Sequence, residues 1–148
     1  MKSASAPFIV LSWLAIVAAG LVGAAIADHP TKYLVWMIAY LVLVVGASQH
    51  AIGFGVMRYA AKPPQPKTVW TQWVLLNIGH AGVIAGTLAG LFPLVAAATM
   101  PYFVAVAWLG LCARPKAPQA GLIWYRVMIV VLLASSIVGT VLSHVAHG

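Results

Sequence analysis

Acidic residues are almost missing from this chain: Asp28 stands alone against eight Lys and Arg, leaving a formal charge of +7 over 148 residues. No apolar stretch contains a carboxylate, so proton relays through Asp or Glu and oxygen-rich Mg or Ca sites have no residues to work with. Cysteine is nearly absent too. Cys112 has no second thiol to pair with, which excludes a disulfide framework and leaves it a small packing residue. Charge of either sign is scarce, at 6% of residues, where soluble chains carry about 25%. A soluble domain is thereby excluded. The basic excess would suggest nucleic acid in a soluble protein, but here the Lys and Arg flank apolar runs, so nucleic acid is not a partner.

What fills the chain instead is apolar: 64% of residues, with a mean hydropathy of +1.03. Membrane spans need about 20 such residues each, so the length accommodates a single all-α transmembrane domain embedded in the lipid bilayer. We expect five helices, at about 7–27, 33–59, 69–92, 94–112 and 122–147. The first run ends Ala25-Ile26-Ala27-Asp28, which resembles a signal-peptide cleavage site. It is longer than the usual 7–15-residue h-region, however, and this favours a retained helix. Pro63-Pro64-Gln65-Pro66 ends the second run. A tight turn at Phe92-Pro93 separates the third and fourth, and Met100-Pro101 is placed to kink the fourth.

Basic residues set the orientation. With the N-terminus inside, Lys2, Arg58, Lys62, Lys67, Arg114, Lys116 and Arg126 fall on the inner side and only Lys32 falls outside. The C-terminus then lies outside. Tyr59, Trp70, Trp73, Trp108, Trp124 and Tyr125 form an inner aromatic belt, with Tyr33 and Trp36 at the outer one. The expected location is a bacterial inner membrane.

The stretch Val69–Phe92 is the most informative. Gly79, Gly82, Gly86 and Gly90 recur at spacings of three, four and four, giving a smooth stripe that another backbone or a flat ligand can approach. His80 lies beside that stripe, and Asn77, three residues earlier, shares its face. Ionisable groups at such depth are functional-site candidates. His50 on the preceding run sits at nearly the same level, about 13 Å above Tyr59, against about 16 Å for His80 above Val69. Gly46 and Gly53 flank His50 as Gly79 and Gly82 flank His80. Two imidazoles at matched depth with small neighbours suit a b-type haem held between the second and third helices. The bland alternative is a histidine bonded to Asn77, Gln49 or Ser48, with glycines used for packing.

Three further histidines map to the outer surface. His144 and His147 are three apart, hence on one helical face, and His29 lies in the outer turn. Together they could hold copper or zinc, with Ser136, Thr140 and Ser143 as a polar stripe leading to them. The alternative is an interfacial helix end, where His suits the dipole.

The pattern QHAIGFGVMRY, a proline loop and WTQWVLLNIGHAGVIAGTLAG resembles small bacterial membrane proteins related to haem-copper oxidase subunit I and to the NnrS family. It covers about Gly46 to Gly90. The resemblance implies that His50 is a haem ligand and that the fold is an oxidase-like bundle. The chain departs from it: no span carries a His-His pair, no Tyr partners one, and five helices cannot make the twelve-helix core. Oxygen reduction by this chain alone is therefore not expected. The leading expectation is a haem-binding redox protein, handling electrons or a diatomic gas, with a quinol or cytochrome as partner and Arg58, Lys62 and Lys67 at the propionates. A non-catalytic subunit or assembly factor of a larger complex, or a homo-oligomer, is the second. A copper or zinc handling protein is the third.

Overall fold

The structure, a computed structural model, describes residues 5–115, 117 and 119–147, the last two without their side chains. Every regular element among them is helical. Helix α1 is Ala6–Ala25. Helix α2 runs Lys32–Arg58 without a break, as α-helix to Ala39, π-helix over Tyr40–Ala47 and α-helix again from Ser48. Helices α3, α4 and α5 are Pro66–Ala89, Phe92–Cys112 and Leu122–His147.

Their starts follow from local chemistry. Pro7, Pro66 and Pro93 occupy first turns, where a missing N–H costs nothing and the fixed φ is already helical. Thr31 caps α2 by accepting from the Leu34 N–H at 3.4 Å. The turn between α3 and α4 falls at Gly90-Leu91, earlier than the expected Phe92-Pro93. Gly90 takes the left-handed conformation at φ 68° and closes α3, the role glycine fills without a Cβ penalty. Pro101 lies inside α4 without ending it.

Four helices, α1, α2, α4 and α5, are long and apolar enough to cross a membrane. Helix α3 is as long, at 24 residues, but Thr68, Thr71, Gln72, Asn77, His80 and Thr87 dilute its hydropathy. It packs closely along α4 and more loosely against α2, and Trp70, Val74, Ile78 and Leu88 leave one of its faces exposed.

The glycines explain how close the helices come. A Cβ at Gly79 would stand 2.5 Å from the Tyr102 Cβ and 2.9 Å from its Cα, and one at Gly86 would stand 2.9 Å from the Val95 nitrogen. Gly82 faces Ala98 in the same way. The stripe on α3 therefore receives the backbone of α4, and Gly90 belongs to the turn instead. On α2, Gly46 meets Ile16 and Gly53 meets Phe8 and Ile9, all on α1. The space at Gly46, Gly53, Gly79 and Gly82 is thus taken by a neighbouring helix. The core that joins the two halves contains Phe8, Ile52, Val56, Leu76, Val106 and Leu109.

At the end of the bundle where α2 stops, Tyr59 and Tyr125 pack with ring centroids 5.3 Å apart. The Tyr59 hydroxyl donates to the Ala120 carbonyl at 3.3 Å, and Arg126 donates to the Ala113 carbonyl at 3.2 Å. The first bond holds Ala120 against the base of α2, and the second ties Ala113 to α5.

Candidate functional site

The seam between α2 and α3 is held by polar side chains. Gln49, fully buried, donates to the Asn77 Oδ1 at 2.7 Å. Asn77 in turn donates to the Trp73 carbonyl at 2.7 Å, and the Trp73 indole donates to the Pro7 carbonyl at 3.0 Å. One chain of bonds thus ties α1, α2 and α3 together. Such interhelical bonds are worth about 0.6 kcal/mol on average in a membrane protein. Gln49→Leu should cost roughly 1 kcal/mol. Gln49→Leu and Asn77→Leu together should cost less than the sum of the two, because they share one bond. A double-mutant cycle by thermal unfolding in detergent measures this, and strict additivity would show the bond to be idle.

Nearer the other end of the same seam, the Tyr40 hydroxyl lies 3.1 Å from the His80 Nδ1. His80 is 3% exposed, and its Nε2 is buried without a hydrogen-bond partner among the described residues. Its ring sits between two phenols, with centroids 5.7 Å from Tyr40 and 5.1 Å from Tyr102, both edge-on. Tyr102 is also buried, and it makes no hydrogen bond among the described residues.

The π-helix makes both seam bonds possible at once. Tyr40 and Gln49 are nine residues apart, which at about 3.6 residues per turn is two and a half turns and opposite faces. Bonding from i to i+5 widens each turn, so the angle gained per residue shrinks and both side chains come round towards α3. Ser48, at the end of this segment, donates its hydroxyl back to the Val44 carbonyl.

Tyr40 and Tyr102 also line a half-open cavity of about 510 Å³ between α2, α3, α4 and α5. Lys32 and Tyr33, at the start of α2, line one end of it, and Trp36, Ser136, Thr140 and Ser143 line it further along. Three α5 hydroxyls donate to carbonyls of their own helix, Ser135 to Leu132, Ser136 to Leu133 and Thr140 to Ser136, while that of Ser143 is buried without a hydrogen-bond partner among the described residues. Thr140 also meets Thr99 across α4 at 3.1 Å. Those three oxygens present acceptor lone pairs to the cavity, which Tyr40 and Tyr102 line with phenols.

The expected ligand residues are distributed otherwise than a shared haem requires. His80 is interior, but His50 is exposed and rests edge-on against Trp13 of α1 at 5.9 Å. The two imidazoles do not face one space, and Gly46, Gly53 and Gly82 are taken up by helix contacts. The donor set thus does not fit a haem bridged between His50 and His80, although His80 Nε2 is itself a free, buried nitrogen. Asn77 does share the seam with His80, but its amide is committed to Gln49 and Trp73. At the end of the bundle where α2 begins, His29 and His144 are exposed, and His144 packs on Phe92 at 4.7 Å. The side chain of His147 lies outside the described residues. Among the described residues no three His, Cys, Asp or Glu side chains come together.

Sequence reasoning singled out His80 but missed Tyr40 and Tyr102. Tyr40 was placed within a continuous helix, where the α period points it away from Gln49, and nothing in the spacing announces a π segment. The Ser136, Thr140 and Ser143 stripe is visible in the sequence, and it lines the cavity.

Comparison with known proteins adds no kinship: no family model, no curated protein and no solved structure matches this chain.

Proposed function

We propose that this is a five-span protein of a bacterial inner membrane that takes a small, membrane-soluble molecule into the cavity between α2, α3, α4 and α5. The observation that carries this reading is the cavity itself. A space of about 510 Å³ falls within the range of ligand sites, which run about 300–1,000 Å³ and pair apolar walls with a few placed polar groups. The polar groups here are the His80-backed Tyr40, Tyr102 and the α5 hydroxyls. The end of the cavity lined by Lys32 is the one that the distribution of Lys and Arg assigns to the outer side. Helix α3 crosses with the other four, since it is 24 residues long and packs along α4.

Gly139 lines the cavity, and a Cβ there would meet nothing within 4 Å. Gly139→Leu should therefore fill the cavity without disturbing the fold. Solvent extracts of purified wild type should contain a non-phospholipid small molecule at near-equal molar amount, and extracts of Gly139→Leu should lack it. Identical extracts would end this reading. For the orientation, reporter fusions in the loops around Pro64 and Pro115 should both read cytoplasmic, and an external signal at Pro115 would overturn it.

A haem role stands second, on the one observation that His80 Nε2 is buried and unpartnered. A ring nitrogen steadied on its other side by a fixed partner is how ligating histidines are usually oriented. In this form His80 would be the imidazole ligand and His50 would have no part. An absorption spectrum with a Soret band lost in His80→Ala and kept in His50→Ala supports it, and a colourless protein removes it.

A further inference from the structure

Resting on the reading of the cavity as a ligand site, we propose that its occupant is a lipid quinone, with the ring carbonyl bound between the Tyr40 and Tyr102 hydroxyls. The argument begins with His80. If Tyr40 donated to Nδ1, the N–H of His80 would sit on Nε2, buried and unpaired. Orphaned buried N–H groups are rarer than under-used acceptors. The better tautomer has Nδ1–H donating to the Tyr40 oxygen, which leaves only a lone pair at Nε2 and frees the Tyr40 O–H to donate elsewhere. Tyr40 lines the cavity, so that proton is available there. Tyr102 lines it too, with a hydroxyl that no described residue engages.

Two phenol donors on one wall call for an acceptor on the ligand. Depth decides which kind. Tyr40 lies eight residues beyond Lys32, about 12 Å along the helix at about 1.5 Å per residue. A phosphate headgroup stays at the level of Lys32, and an acyl chain would leave both phenols unpaired in an apolar setting, at a cost. A ring carbonyl on a lipid-soluble molecule reaches that depth and satisfies them. Trp36, tilted against Tyr40 at 5.0 Å, supplies an aromatic wall for the ring, and α2 and α5 flank the cavity where the isoprenoid tail would pass to lipid. Tyr40 and Tyr102 are the binding residues, and His80 is a positioning residue that turns the Tyr40 proton into the cavity.

The test uses full-length protein in nanodiscs and two probes of similar shape: a benzoquinone with a decyl chain, and a decyl-substituted methylbenzene without carbonyl oxygens. Wild type should bind the quinone more tightly than the hydrocarbon. Tyr40→Phe should weaken the quinone about 5-fold, the loss of one neutral hydrogen bond, and leave the hydrocarbon unchanged. Tyr40→Phe with Tyr102→Phe should bring the two probes to equal affinity. Gly139→Leu should abolish binding of both. Should that variant fail to fold, Ser136→Leu replaces it, since the Ser136 hydroxyl bonds only within its own helix. Equal binding of both probes to wild type, or quinone binding indifferent to Tyr40→Phe and to the double variant, overturns the quinone assignment and keeps the cavity as a ligand site. Quinone binding that survives filling of the cavity overturns the assignment as well. Failure of wild type to bind either probe overturns both.

Discussion

Gly79→Leu is expected to be the most damaging single substitution in the chain, costing more than about 3 kcal/mol, the upper end of ordinary overpacking. At most crowded sites a new side chain displaces a flexible neighbour. Here its first atom would lie 2.5 Å from the Tyr102 Cβ and 2.9 Å from the Tyr102 Cα and nitrogen, and backbone inside a helix cannot step aside. The only relief is for α3 and α4 to separate. Gly86 and Gly82 repeat the contact along the same line, so separation at one point opens the seam at all three. It also moves Tyr102 away from His80 and distorts the cavity wall. Thermal unfolding in detergent should show the loss directly. Gly20→Leu is the control, because a Cβ there meets nothing within 4 Å and the same propensity gain applies. A Gly79→Leu protein as stable as Gly20→Leu would mean that the helices do not meet at this line.

This contact also shows which features could be read from sequence. The helical class, the five apolar stretches and most of their limits follow from composition and from proline and glycine punctuation. These are local signals, and local physics sets them. The glycine stripe was equally visible, but a stripe does not say what approaches it. Backbone and flat cofactor impose the same demand for small residues, and only the partner helix decides. His50 and His80 illustrate the same gap at the level of rotation. Their depths can be counted from residue number, yet the direction each faces depends on the helix phase. A π segment between Tyr40 and Ala47 changes that phase in a way an α period does not predict. His50 turns out towards Trp13 as a result, while Gln49, its neighbour in sequence, turns in.

Inserting one residue into that π segment, for instance an alanine after Val42, is expected to be the second most damaging change. The segment already spreads one surplus residue over its widened turns, so a further one rotates the part of α2 before it by about 100° relative to the part after it. The later half is pinned, because Gly46 sits against Ile16 and Gly53 against Phe8 and Ile9. The earlier half must therefore turn, carrying Tyr40 off His80 and Trp36 off the cavity. His80 is then left buried with neither ring nitrogen bonded, a penalty of about 1–3 kcal/mol for the unmade bond, beyond any packing lost. Tyr40→Phe removes the same bond while keeping the ring in place, so it should destabilise less than the insertion. Val42→Ala keeps the length and trims two methyl groups, and should cost about 1 kcal/mol. The expected order of melting temperatures is wild type, Val42→Ala, Tyr40→Phe, then the insertion. The insertion should also abolish ligand binding in the cavity, whereas Val42→Ala should preserve it. An insertion variant that melts with Val42→Ala and still binds would show that the phase of this segment does not set the direction of Tyr40.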